Sequence, residues 1–413
     1  MRVLILSATT GGGHMRAANA LKSYIQSQNP RSAVLISDTI QYVSPILNKA
    51  VTEGYVYLAT KTPKLFGYVY RTADKDTPIN KTVEIATTTV RNKLKPLIDD
   101  FKPDIIVTTH PFSAEIFTAL KTRNAENCNI PIINIVTDFA VHQTYINDGV
   151  DAYIVSSHEM VNQMVERGVE RVKLYPYGIP VKQEFYKDID RRTAFESEGM
   201  NPDMRTILIM AGSFGVTDIL KIYHKIVKSH EEFQIIVITG KNEKLYDTFD
   251  RYLSKITLNN ALVDIEKSSR PKSITKLSRH RKPAKPTKLL YYTDEVEKYM
   301  HMADMIVTKP GGLTVSESVA SVLPMGIFKA IPGQEEQNAD FLVRNNMAVR
   351  LEKDNTCTKI VTDLISHPEK LENMKKSIKE FSRGNSSENI YILMKELLKK
   401  YHNEEAIDRT EKI

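Results

Sequence analysis

With 413 residues, 41% of them hydrophobic and 26% charged, the chain is too long for one ordinary core and has room for two domains of roughly 150 to 200 residues. No run approaches the roughly 18 to 20 consecutive apolar residues that cross a bilayer, which excludes a membrane-spanning helix. Net charge is +7, yet nine Lys/Arg and no acid fall within residues 267–288 and the remainder carries −2, so the basicity is local and does not have the spread expected of a folded nucleic-acid binder.

The first apolar run, residues 3–6, leads into Ser7-Ala8-Thr9-Thr10-Gly11-Gly12-Gly13-His14 and then a helical pattern through Ala17, Leu21 and Ile25. That run is too short for a secretory h-region, so it reads as a strand and no export signal is expected. The glycines permit positive φ and close backbone approach, and the following helix offers free N–H groups to an anion or polar ligand. The loop has neither the GxGxxG spacing nor the Lys-Ser/Thr ending of a Walker A sequence. His14, in the first helical turn, titrates near working pH and suits a general base; the plain alternative is that it caps or packs the loop.

Further β-branched runs at 33–36, 104–108, 132–136 and 152–155 alternate with amphipathic stretches, which is the pattern of buried parallel strands with helices on both faces. Between the first two of these runs, residues 55–71 interleave Tyr55, Tyr57, Leu58, Phe66, Tyr68 and Tyr70 with Lys61, Lys64 and Arg71. The mixture suits a membrane interface or buried aromatics flanked by solvated lysines. Behind the run 132–136 come Thr137-Asp138-Phe139-Ala140-Val141-His142. Asp138 is suited to orient an imidazole or to cap the next helix, and both it and His142 are expected near His14 at the switch point of the sheet. No HExxH or carboxylate cluster accompanies them, so no metal site is expected. The two cysteines, Cys128 and Cys357, belong to no CxxC or Cys/His cluster, as suits a reducing cytoplasm.

Residues 175–203, with Pro176, Gly178, Pro180, Gly199 and Pro202, read as a linker. Strand-like runs resume at 206–211, 234–239, 289–292, 304–308 and 325–328, so two Rossmann-like halves are expected. The turns Gly212-Ser213-Phe214-Gly215 and Lys309-Pro310-Gly311-Gly312-Leu313-Thr314 each follow a strand and can present backbone amides to a diphosphate, with Glu317 three residues after Thr314 as in a capping box. The loop Pro332 to Ala339 carries Gln334, Glu335, Glu336 and Asn338, whose paired hydrogen-bonding groups suit sugar hydroxyls. Ordinary turn chemistry is the plain alternative for each loop. A last helical pattern at about 387–401 is expected to pack back across the lobe junction. The domain reading is therefore 1–177, a linker at 178–205, a second lobe at 206–384 with a basic insertion at 267–288, and a helix and tail at 385–413.

The ordered motifs GGGH, VTDFxxH, GSFG, KPGGLTxSE and PGQEEQNA resemble the monogalactosyldiacylglycerol synthase and processive diacylglycerol β-glucosyltransferase group of glycosyltransferase family 28, from residue 1 to about 387. The resemblance implies a GT-B fold, an α/β architecture of two doubly wound lobes facing across a cleft. It implies an inverting transferase, with no cofactor or metal, that moves glucose or galactose from a UDP-sugar to the hydroxyl of diacylglycerol. By matching position, His14 becomes the base with Asp138 in support. Gly212, Phe214 and Gly215 lie by the nucleotide, Lys309, Gly311, Gly312 and Thr314 by the diphosphate, and Glu317 by the ribose. Gln334, Glu335, Glu336 and Asn338 face the donor sugar, while Gly12, Gly13, Tyr57, Phe66, Tyr68 and His142 face the acceptor and the membrane. Tyr177-Gly178-Ile179-Pro180 resembles the family's hinge. The implied setting is cytoplasmic and peripheral, on the anionic inner face of the cell membrane, with no nucleic-acid partner. The basic insertion is longer than the family pattern leads one to expect. Rival readings are a polyprenyl-diphosphate acceptor, a non-hydrolysing UDP-N-acetylglucosamine 2-epimerase, and a nucleotide-sugar sensor without catalysis. Donor sugar, number of sugars added and oligomeric state are not legible.

Overall fold

The computed structural model describes residues 1–9, 12–74, 91–123, 130–210, 219–255, 285–328, 330–352 and 354–411. They form two six-stranded sheets, and every strand pair in both is parallel. The first runs β2-β1-β3-β4-β5-β6, from β1 (Arg2–Ser7), β2 (Ala33–Asp38), β3 (Ile105–Thr108), β4 (Ile132–Ile135), β5 (Ala152–Ile154) and β6 (Leu174–Tyr175). The second runs β12-β11-β10-β7-β8-β9, from β7 (Thr206–Met210), β8 (Gln234–Ile238), β9 (Thr287–Leu290), β10 (Met305–Thr308), β11 (Met325–Ile327) and β12 (Ala348–Arg350).

The apolar runs become strands because both of their faces are covered. Alternate residues of β1, β3 and β4 enter two separate clusters, Leu4, Leu6, Ile106 and Ile132 on one side and Val3, Ile5, Val107 and Ile133 on the other. The second sheet is layered in the same way. The connections turn back between β1 and β3 in the first sheet and between β7 and β10 in the second, and such points leave a crevice at the strands' carboxyl ends.

Three features depart from the sequence reading. Two strands, β6 and β12, appear where none was expected. The stretch read as a linker holds a 3-10 turn (Gln183–Tyr186) and a helix (Arg191–Ser197), and its Phe185, Ala194 and Phe195 are buried in the second lobe's core. The end of the basic insertion is β-strand: β9 starts at Thr287, and Lys288 pairs with Glu198 at 2.8 Å. Residues 267–284 lie outside the described residues.

The lobes touch over a shared apolar contact. Phe139, from the first lobe, lies 5.6 Å from Phe341 and 6.2 Å from Phe381 between ring centroids, inside the second lobe's cluster. The C-terminal helix, Ser386–Glu411, returns to the first lobe, where Ile390, Leu393 and Met394 are buried against β1, β3, β4 and β5 residues.

Candidate active site

The first-lobe half of the site grows from the ends of β1, β3 and β4. Gly12 adopts the left-handed conformation (φ 73°) before the helix Gly13–Gln28, which lets the chain turn sharply and sets His14 in the first turn. Asp38, at the end of β2, accepts from the Thr9 amide and hydroxyl (3.1 and 2.7 Å) and steadies the strand's exit.

His14 Nδ1 lies 2.7 Å from the Thr109 carbonyl and 2.9 Å from Thr137 Oγ1. A carbonyl only accepts, so Nδ1 carries the proton and Nε2 keeps its lone pair. Desolvation draws the ring's pKa down to about 4, although the Thr109 carbonyl raises it, so the imidazole is neutral at pH 7. His110 packs against it with ring centroids 4.7 Å apart. Its Nδ1 accepts the Phe112 amide at 3.2 Å, and burial followed by the neighbouring His14 holds its pKa well below the usual histidine range.

Asp138 is buried and does not cap a helix. Tyr145 Oη donates to its Oδ2 at 3.2 Å, and Gln334 and Asn338 of the second lobe also hydrogen-bond it. Burial raises its pKa and these bonds partly offset the rise. The capping role falls to His142, whose Nδ1 accepts the Thr144 amide. The other ring nitrogen of His142 faces the Tyr70 carbonyl at 3.0 Å, so the structure turns His142 toward the helix Pro63–Ala73 and leaves only Asp138 linked to His14.

In the second lobe, the helix Gly312–Ala320 begins at the junction with Gly311 as its N-cap. A Cβ at Gly312 would lie 2.0 Å from the Thr137 carbonyl oxygen, and one at Gly13 would lie 3.6 Å from Leu313 Cβ. Glycine therefore allows the two backbones to meet beside His14. The expected capping box is absent, because Thr314 and Glu317 both lie inside the helix. Glu317 is buried, its Oε1 is 3.9 Å from Arg16 of the first lobe, and its Oε2 has no hydrogen-bond partner among the described residues. Desolvation raises its pKa to about 7, more than Arg16 and Lys182 lower it.

The Pro332 loop is held from both sides. Glu335 accepts the Ile331 amide at 2.9 Å and lies 3.9 Å from Lys309. Asn338 is fully buried, its amide engaged by the Phe139 N–H and the Pro310 carbonyl, so it pins the lobes together. Glu336 is exposed. On the other side, a Cβ at Gly67 would meet Pro332 Cβ at 2.7 Å, and one at Gly333 (φ +103°) would meet the Tyr70 ring at 2.9 Å. The helix Pro63–Ala73 thus presses one face on this loop, while Leu65 and Tyr68 on its other face are 50% and 62% exposed. Tyr57 is 60% exposed and Phe66 half-buried. Gly212, Phe214, Gly215 and Gly11 lie outside the described residues.

Sequence reasoning missed Thr109, His110, Thr137 in its bonding role, and Tyr145. The Thr-His-Pro end of β3, next to the switch point, was the available signal for His110.

The sequence profile of the monogalactosyldiacylglycerol (MGDG) synthase family matches residues 14–181, and that of the glycosyltransferase family 28 C-terminal domain matches residues 206–396. The processive diacylglycerol β-glucosyltransferase of Bacillus pumilus is 29% identical, with 94% of this chain and 93% of that protein covered. That of Bacillus subtilis is 27% identical, with 96% and 95% covered. MurG of Acinetobacter baumannii superposes with a TM-score of 0.55 at 13% identity, covering 96% of this chain and 99% of that one. The UDP-GlcNAc 2-epimerase of Neisseria meningitidis, solved bound to UDP-GlcNAc, gives 0.56 at 14%, covering 97% and 100%. At such identities the solved structures speak to fold alone, and that fold is GT-B.

Proposed function

Because the chain belongs to the monogalactosyldiacylglycerol synthase group of glycosyltransferase family 28, we propose that it transfers a hexose from a UDP-sugar to the hydroxyl of diacylglycerol with inversion at the anomeric carbon. The names of the relatives that span its length support glucose as the sugar and a β-linked product.

The observation that carries this reading is the meeting of the two lobes next to His14, where Gly13 approaches Leu313 and Gly312 approaches the carbonyl of Thr137, the residue whose hydroxyl touches the His14 ring. His14 Nε2 takes the proton of the acceptor hydroxyl, and the oxygen attacks the anomeric carbon from the face opposite UDP. The bond from that carbon to the diphosphate breaks with its electron pair on the phosphate oxygen. The free N–H groups at the start of the Gly312 helix and the Lys309 ammonium receive the charge, so no metal is required in this scheme. Glu317, with an unpartnered oxygen, takes the ribose hydroxyls. Among the described residues no helix is long and apolar enough to cross a membrane. The exposed Tyr57, Leu65 and Tyr68, beside Lys61, Lys64 and Arg71, support docking on a bilayer surface instead.

A donor-by-acceptor matrix tests the reading: UDP-glucose and UDP-galactose against diacylglycerol and a polyprenyl-diphosphate sugar, with label followed into chloroform and the product's anomeric form determined. A β-glucosyl diacylglycerol, formed also in the presence of a chelator, is the expected product. Label confined to a water-soluble epimer, or transferred only to the polyprenyl acceptor, overturns it.

A further inference from the structure

Between Asp138 and His14 stand two hydroxyl side chains with no direct place in the chemistry above. Thr137 Oγ1 lies 2.9 Å from His14 Nδ1 and 3.1 Å from Tyr145 Oη, which lies 3.2 Å from Asp138 Oδ2. The four side chains reach the junction from three elements: His14 from the Gly13 helix, Thr137 and Asp138 from the end of β4, and Tyr145 from the turn Gln143–Tyr145. Thr137, Asp138 and Tyr145 are each less than 8% exposed, so water does not compete for these bonds.

Donor logic gives the chain one direction. The Tyr145 hydroxyl donates to Asp138 Oδ2, which accepts. Tyr145 oxygen is then free to accept the Thr137 hydroxyl, and Thr137 oxygen to accept the His14 N–H, which it shares with the Thr109 carbonyl. Every hydrogen points from the imidazole toward the carboxylate.

We propose that Thr137 and Tyr145 are positioning residues that couple the Asp138 carboxylate to His14 and so set the basicity of Nε2. This rests on His14 being the base. When Nε2 takes the acceptor's proton the ring becomes a cation with hydrogens on both nitrogens, and the two polarised hydroxyls carry the carboxylate's negative charge to the Nδ1 side. No proton has to leave the ring during transfer: the acceptor oxygen gains the bond to carbon, the diphosphate leaves with its electron pair, and the imidazolium returns its proton to solvent after product departs. An apolar neighbourhood alone leaves the ring a weak base, and the chain opposes that weakening. The other titratable group packed against the ring is His110, with ring centroids 4.7 Å apart; the Arg16–Glu317 pair across the lobes, near which Lys182 and Glu297 also act, is a separate charge cluster.

The experiment measures kcat and donor KM against pH for the full-length chain with diacylglycerol in mixed micelles, in Tyr145→Phe, Thr137→Val, Thr137→Ser and His14→Ala. Tyr145→Phe and Thr137→Val are each expected to lower the plateau kcat by about 10- to 100-fold and to move the acidic limb to lower pH, since the imidazolium loses its distant partner. Donor KM should change less than about 3-fold, because the chain acts on the base and not on the nucleotide. Thr137→Ser, which keeps the hydroxyl, should return the limb toward its original position. An acidic limb unmoved in both Tyr145→Phe and Thr137→Val overturns the coupling, and so does a loss in Thr137→Ser equal to that in Thr137→Val, which would mark a packing role. Undiminished kcat in His14→Ala instead sinks the assignment of the base itself.

Discussion

A buried carboxylate lacking a full set of partners is costly, and Glu317 is such a group, held in the second lobe with one oxygen unbonded. Burial pushes its pKa to about 7, above the ordinary glutamate value of 4.5, so the folded state holds the proton longer than the unfolded one. The penalty is absent below about pH 4.5 and grows as pH rises through 7. Glu317→Gln should therefore leave Tm at pH 5 nearly unchanged and raise it by several degrees at pH 8, the full penalty being roughly 3 kcal/mol. The lost pairing with the half-exposed Arg16 offsets little of this. Donor KM should rise in the same variant. Equal melting shifts at both pH values would show that the carboxylate is not strained in the way described. Legibility at this scale is uneven: His14 and Asp138 stand out in the sequence because Gly-Gly-His and Thr-Asp behind apolar runs are unusual there. Thr137 and Tyr145 do not stand out, since a hydroxyl acquires its role only from what the fold sets on either side of it. Glu317 is legible as a position, but its spacing from Thr314 suggests a cap, whereas the helix already starts at Gly312.

At the scale of elements, the Gly312 helix and the end of β4 fit together only because position 312 lacks a side chain. Gly312→Ala sets a methyl 2.0 Å from the Thr137 carbonyl oxygen, and backbone on both sides cannot yield as a flexible side chain can. The lobes must stand apart, and a misplacement of about 1 Å costs on the order of 10²-fold in rate. The expected result is that loss in kcat with less than a 10-fold change in UDP affinity by calorimetry; a wild-type kcat would mean that catalysis does not use this closed contact. Most strands were readable as short β-branched runs, while β6 and β12 were not. They span two and three residues at sheet edges, Leu174–Tyr175 and Ala348–Arg350, too short for any period to register. The start of β9 was hidden because Thr287 and Lys288 continue a basic, proline-containing run, and only pairing with β8 makes them strand. Residues 55–71 left membrane and core readings open. The helix Pro63–Ala73 packs Gly67 and Tyr70 inward and leaves Leu65 and Tyr68 exposed.

For the whole molecule, the two lobes are not independent. Ile390, Leu393 and Met394, at most 2% exposed, complete one face of the first sheet from the far end of the chain, and Tyr401 Oη donates to Asp151 at 2.5 Å. Burying three such side chains is worth roughly 5 to 9 kcal/mol, which is comparable to the entire stability of a typical domain, about 5 to 15 kcal/mol. A chain ending before Ser386 should accordingly give little soluble product and no cooperative melt for the first lobe; a truncated protein with wild-type melting would show that the helix is an accessory. The chain also passes between lobes twice, outward beyond Tyr177 and inward before Ser386, and the Ser386 hydroxyl donates to the Gly178 carbonyl at 2.6 Å. Two straps riveted side by side act as one pivot, which allows swinging but resists sliding. Any closing about that pivot returns the Gly312 turn to the end of β4 in the same register, as a latch meets its keep. A single loose tether would have to search for that alignment anew on every turnover.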